Sequence, residues 1–180
     1  MTISRLLAIG LALFSVAAAP SGKAVPAQHP LEGVRPSTKV PFPKISDWNS
    51  LHIRMERTAC YGTCPVYSVE IAGDGTVTFI GERYVNATGQ QTAHIAKAKV
   101  QELFKKFEKC EFFWTRDAYE ASITDMPSTI VSISFDTRSK SVTDYAGERA
   151  GMPKAIAELE EAIDKAAGTQ EWVIGKDKDL

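Results

Sequence analysis

Cys60 and Cys64 stand four positions apart in the stretch RTACYGTCPVYSVEIAGDGTVTF, residues 57–79, with Gly62 between them and Pro65 directly after the second thiol. Two thiols at this spacing can close a disulfide, cycle as a redox dithiol, or hold a soft metal. A bridge tolerates Cα atoms about 4.4–6.8 Å apart, and four residues of extended strand reach about 13 Å. A disulfide therefore requires the chain to turn at Tyr61-Gly62-Thr63, which Gly62 makes easy. A working redox pair of the thioredoxin kind is C-x-x-C at a strand-to-helix junction, where the helix dipole lowers one thiol's pKa. Here the spacing is C-x-x-x-C, and a strand and turn follow. A disulfide-shaped loop with Tyr61 at its tip is the leading expectation. Copper-type metal binding and thiol redox chemistry at Cys60 and Cys64 are the alternatives.

The string C-x-x-x-C-P is similar to the motif of Sco-type copper chaperones, which add a distant histidine. This chain offers His29, His52 and His94. His52 alternates out of phase with Met55, so the two point to opposite faces of a strand. A metal site would have to use His94. Cys110, at the end of an amphipathic segment, reads as a small buried hydrophobe. Asp125 and Asp144 could serve as acid and base if brought together, but aspartates beside strands and prolines more often cap turns. Arg57 could bind a carboxylate ligand or pair with one of these aspartates, and the internal pair is favoured. No G-x-S-x-G, P-loop, HExxH or EF-hand pattern is present. The residues lean away from an enzyme, and no cofactor is expected.

These groups need a scaffold, and the periodicity supplies one. LHIRMER alternates Leu51, Ile53 and Met55 against polar residues, as a half-buried strand does. VYSVEI and TVTFIGE flank Gly73-Asp74-Gly75 and read as a hairpin; TGQQTAHI is a weaker strand. Ala96, Val100, Leu103, Phe104 and Phe107 then fall at helical spacing. Val131, Ile133 and Phe135 alternate again, and SVTDY follows a polar turn. A last helix opens at Pro153, in its first position, and buries Met152, Ile156, Leu159, Ile163 and Ala166 before Gly168 stops it. Phe112, Phe113 and Trp114 are expected to close the core, with Trp172 and Val173 folding back onto it. The expectation is an α+β fold, an antiparallel sheet in the order β-ββ(β)-α-ββ-α with two helices on one face, built from two related ββα units.

The 180-residue chain carries a net charge of −1 and no block of like charge, so nothing suggests a nucleic-acid partner. Arg5 followed by an apolar run from Leu6 to Val16 and then small residues reads as a secretory signal, residues 1–18, cut between 18 and 24. Six of the nine prolines lie between Pro20 and Pro43, which makes residues 19–45 an extended tether. It is expected to end in a stretch that packs through Phe42 and Ile45. Residues 46–175 form the domain and 176–180 a polar tail. The expected location is periplasmic or secreted, with membrane attachment only through an uncleaved signal.

RTACYGTCPVYSVEIAGDGTVTFIGE, then V-x-x-L-F-x-x-F with FFW, TDMPSTIVSISF, VTDYAG and LEEAID…TQEWV, together resemble a bacterial, exported domain-of-unknown-function family. Its signature is R-x-x-C-[FY]-G-x-C-P followed by a Gly-Asp-Gly hairpin. The resemblance covers about residues 50–174. It implies that Arg57, Cys60, Gly62, Cys64, Pro65, Asp125, Asp144 and Tyr145 occupy the family's motif positions, and it implies no activity. The function expected is a non-enzymatic binding or structural module, its partner an envelope ligand or protein.

Overall fold

A computed structural model of the chain describes residue 39 and residues 41–175. The expected signal, most of the tether and the polar tail lie outside the described residues. Seven strands form one sheet in the order β4-β3-β2-β1-β6-β7-β5. They are β1 (His52–Arg57), β2 (Val66–Ala72), β3 (Thr76–Arg83), β4 (Gly89–His94), β5 (Ala118–Glu120), β6 (Thr129–Phe135) and β7 (Arg138–Tyr145). Two long helices, α1 (Lys97–Lys109) and α2 (Lys154–Ala167), and a one-turn helix, α3 (Gln170–Val173), complete the domain.

The fold is α+β, as the periodicity implies, with two corrections. The sheet is mixed rather than antiparallel, because β5 runs parallel to β7 along Ala118–Glu120. The ββα duplication also fails in detail: β4 returns antiparallel on β3, and β7 carries the parallel β5 instead. Three residues, AYE, are too few to show a period, so β5 has no signature before its neighbour is in place.

Alternation decides which face is covered. Leu51, Ile53, Met55, Val69, Ile71, Val77, Phe79, Val131, Ile133, Phe135 and Val142 are buried beneath α1 and α2. The opposite face carries rows of polar side chains, one running Thr92, Thr78, Glu70, Arg54, Ser132, Ser141 across six strands. Helix α1 buries Val100, Leu103, Phe104 and Phe107. In α2 the buried stripe ends on Ala167 rather than Ala166, and Pro153 is the N-cap rather than the first helical residue. Gly168, at φ +72°, ends that helix.

The hairpin between β2 and β3 turns on Gly75 at φ +99°, while Asp74 accepts from the Thr76 amide at 2.8 Å. Gly73 is needed for a different reason. A Cβ there would lie 1.7 Å from the Trp48 carbonyl oxygen, so the approach of the entering chain excludes any side chain. That entering chain packs through Phe42, Ile45 and Trp48 against the core, with Phe42 edge-on to Phe104 and Phe113. Asp136 fastens it, accepting from the amides of Ser46 at 2.9 Å and Asp47 at 3.0 Å. These bonds hold the Asp136 carboxyl below the usual carboxylate range. Phe112 is buried, Phe113 and Trp114 half-buried, and Trp172 and Val173 pack against the core as expected.

Candidate functional site

Strand β1 ends at Arg57, and the next residues leave the sheet. The Thr58 amide donates to Ser128 O at 2.9 Å and the Ser128 amide to Thr58 Oγ1 at 2.8 Å, which ties the exit of β1 to the entrance of β6. The chain then turns at Gly62, and Cys60 and Cys64 form a disulfide with Cα atoms 5.8 Å apart. Pro65 leads straight into β2, so a strand and not a helix follows the second sulfur. Tyr61, at the tip, is 89% exposed. Its amide donates to Asp125 O at 3.3 Å, which joins the loop to the segment preceding β6. On that segment Met126 is 45% exposed, and its amide reaches Tyr145 Oη at 3.4 Å. Two loops thus form one rim at this end of the sheet, with a tyrosine and a methionine facing outward.

Beneath the rim, one row across the covered face reads Asp144, Thr129, Arg57, Tyr67, Gly81. Helix α2 lays Glu160 and Asp164 over this row. The Arg57 guanidinium donates to Asp164 at 2.9 Å, to Thr129 Oγ1 at 3.1 Å and to Tyr67 Oη at 3.0 Å. Tyr67 and Thr169 donate in turn to Asp164 Oδ1 at 2.8 and 2.6 Å. Burial opposes the Arg57 charge, but Tyr67 and Asp164 overcome it and the pKa is raised. Burial, then Asp164, pushes the Tyr67 phenol up as well. The internal partner of Arg57 is therefore Asp164, not Asp125 or Asp144.

Glu160 is only 6% exposed, and its Oε1 is buried without a hydrogen-bond partner among the described residues. Burial first, then the neighbouring Asp144 carboxylate, raises its pKa to about 7, against the pull of Arg57 and the Thr129 hydroxyl.

A family model for a domain of unknown function, DUF6438, matches residues 51–167. The chain belongs to the DUF6438 family. A comparison with curated proteins gives no match. The DUF6438 span runs from the entrance of β1 to the last residue of α2. It takes in both rim loops and the Arg57 network, while the Phe42 segment and α3 lie outside it.

The other residues of interest in this DUF6438 domain are placed as follows. Asp144 accepts from the Gly147 amide at 2.5 Å, a turn cap of the expected kind. Asp125 is exposed and left-handed at φ +70°, and its side chain accepts from Thr124 Oγ1 at 3.1 Å rather than capping the backbone. Asp144 faces α2 and Asp125 lies on the rim. Cys110 is a half-buried free thiol whose pKa burial pushes up to about 12, the reverse of an activated nucleophile. His94 pairs with Thr76 at the hairpin end of β3, whereas Val66, two residues after Cys64, pairs with Arg83 at the other end. That separation is on the order of 20 Å, so His94 does not share a site with the two sulfurs. Among the described residues no three His, Cys, Asp or Glu side chains are grouped to hold a metal.

The bridge closes a five-residue loop, which by chain entropy contributes about 2 kcal/mol. Cys60→Ser with Cys64→Ser is therefore expected to lower the urea-unfolding free energy by about 2 kcal/mol and leave a cooperative transition. Faster hydrogen exchange confined to residues 58–65 and 124–128 should accompany it. A chain that no longer unfolds cooperatively would show that the bridge holds more than its loop.

Proposed function

We propose that this DUF6438 domain is an exported, non-enzymatic binding module whose recognition surface is the rim made by the Cys60–Cys64 loop and the segment around Met126. The observation that carries this reading is Tyr61, 89% exposed at the tip of a cross-linked loop. On this constrained loop the ring presents an apolar body and a polar tip to whatever meets the rim. Tyrosine is also among the residues that dominate binding energy at interfaces. Cross-linking lowers the ordering cost of engagement, because the loop is shaped before a partner arrives. Asp125 and Tyr145 brace the second loop, Gly62 and Pro65 set the turn, and Arg57 fixes the floor beneath them.

Export accords with the leader-like residues 1–18 and with a disulfide, which persists in oxidising compartments. One experiment tests both parts. A photo-crosslinking amino acid in place of Tyr61, in cells of the native host, is expected to capture a discrete partner in the envelope fraction. The captured chain should begin between residues 19 and 25. The same probe at Thr88 should capture nothing. Equal capture from both positions would remove the rim as the recognition surface, and chain retaining Met1 in the cytosol would remove the export.

A further inference from the structure

Strand β4 is the outer strand of the long side of the sheet, and among the described residues β3 is its only strand neighbour. Just beyond its end, the Ile95 amide donates to Gly75 O at 2.9 Å. That bond fixes the parity of the ladder, since hydrogen-bonded and non-hydrogen-bonded pairs alternate along antiparallel strands. Gly89, Gln91 and Ala93 therefore turn their backbone groups toward β3. Gln90, Thr92 and His94 turn theirs outward.

Native sheets close such an edge with a charge, a proline, a bulge, or brevity. The opposite edge uses brevity: β5 has three residues. Strand β4 uses none of these. Its six residues, GQQTAH, include no proline and no Lys, Arg, Asp or Glu; its register with β3 is unbroken; and Gln90, Thr92 and His94 are all exposed.

We propose that β4 is a homodimerisation edge, pairing antiparallel with β4 of a second copy about a two-fold axis through Thr92. A second copy fits this edge because the strand is self-complementary. Centring the pair on Thr92 sets Thr92 against its own copy and Gln90 against His94 of the partner subunit, with like faces together. All three outward residues then find partners, giving about six main-chain hydrogen bonds. Threonine opposite threonine is a favourable cross-strand pair, and no like charges meet. The two seven-stranded sheets become one continuous sheet, with an isologous interface as closed two-fold dimers require. An interface of one strand each is small, so the dimer is a weak one.

Sedimentation velocity on the purified chain, from about 1 μM to 1 mM, is expected to show a reversible monomer–dimer equilibrium. Hydrogen exchange read residue by residue gives the register. At high concentration the amides of Gln90, Thr92 and His94 should slow by on the order of tenfold, while Gln91 and Ala93 are protected at every concentration. Thr92→Pro removes one outward donor and no bond within the chain. Thr92→Lys leaves the backbone intact and sets two ammonium groups on the axis. Each variant should weaken association at least about tenfold, with the melting temperature of the dilute monomer unchanged. A chain that stays monomeric up to 1 mM, a dimer whose three outward amides remain fast, or one that withstands Thr92→Lys would each overturn the proposal.

Discussion

Replacing Arg57 with methionine is expected to lower folding stability by about 2–4 kcal/mol, the range for removing one partner of a largely covered ion pair. The methionine keeps most of the packing of the arginine stem, so the loss falls on the charge. Asp164 is left with the Tyr67 and Thr169 hydroxyls and, among the described residues, no ion-pair partner. The tie between the middle of the sheet and the last turn of α2 is lost with it. Removing the orphaned charge as well, in Arg57→Met with Asp164→Asn, should recover part of the loss, and the cycle isolates the coupling. Urea unfolding of the four proteins measures it. A single Arg57→Met variant within about 0.5 kcal/mol of the parent would mean that the pair behaves as an exposed one.

Glu160→Gln is expected to act in the opposite direction, and only where the parent carboxyl is ionised. In the folded chain this carboxyl holds its proton up to about pH 7, whereas in the unfolded chain it gives it up near 4.5. Between those values the folded state binds more protons, so stability falls as pH rises across the window and levels off above it. At about 1.4 kcal/mol per pH unit, ionisation of Glu160 costs roughly 3 kcal/mol by pH 8. Asp136 and Asp74 have lowered values, so their contributions are lost only in acid, below this window. The glutamine variant should therefore be more stable than the parent by about 2–3 kcal/mol at pH 8, and nearly equal to it at pH 4.5. Thermal or urea unfolding at pH 4.5, 6, 7 and 8 reads the difference. Parallel stability–pH curves for the two proteins would show that folding does not shift the Glu160 carboxyl.

The sequence announces the β2–β3 hairpin because Gly73-Asp74-Gly75 interrupts two alternating runs, a purely local signal. It announces α1 and α2 by their spacing. It conceals whatever depends on a distant neighbour. Asp164 lies 107 residues from Arg57 on a helix rich in charge, so nothing local marks it as the partner of that arginine. Strand β5 exists because β7 offers it an edge. Glu160 carries a readable sign that is easily passed over: it sits four residues after Ile156 and three before Ile163, inside the apolar stripe. A charged residue in a stripe is either an error of phase or a buried group, and here it is buried. The disulfide loop was legible because Cys60 and Cys64 needed only the turn between them. The rim was not, because the Asp125–Met126 segment is brought beside the Tyr61 loop by the pairing of β1 with β6.

That same pairing sets the order in which the domain is assembled. Strands β1 to β4 form a meander in which each strand pairs with the next along the chain, so this half closes through short loops. The other neighbour of β1 is β6, about 70–80 residues further on. Until β6 arrives, β1 is a temporary margin of the sheet: the backbone groups of His52, Arg54 and Glu56 are open, and the charges of Arg54, Glu56 and Arg57 are what stands against a foreign strand. The folding chain therefore has a temporary seam that is not an outer edge of the finished sheet. It lies in the middle of the sheet, and it is exposed only while the second half is unmade.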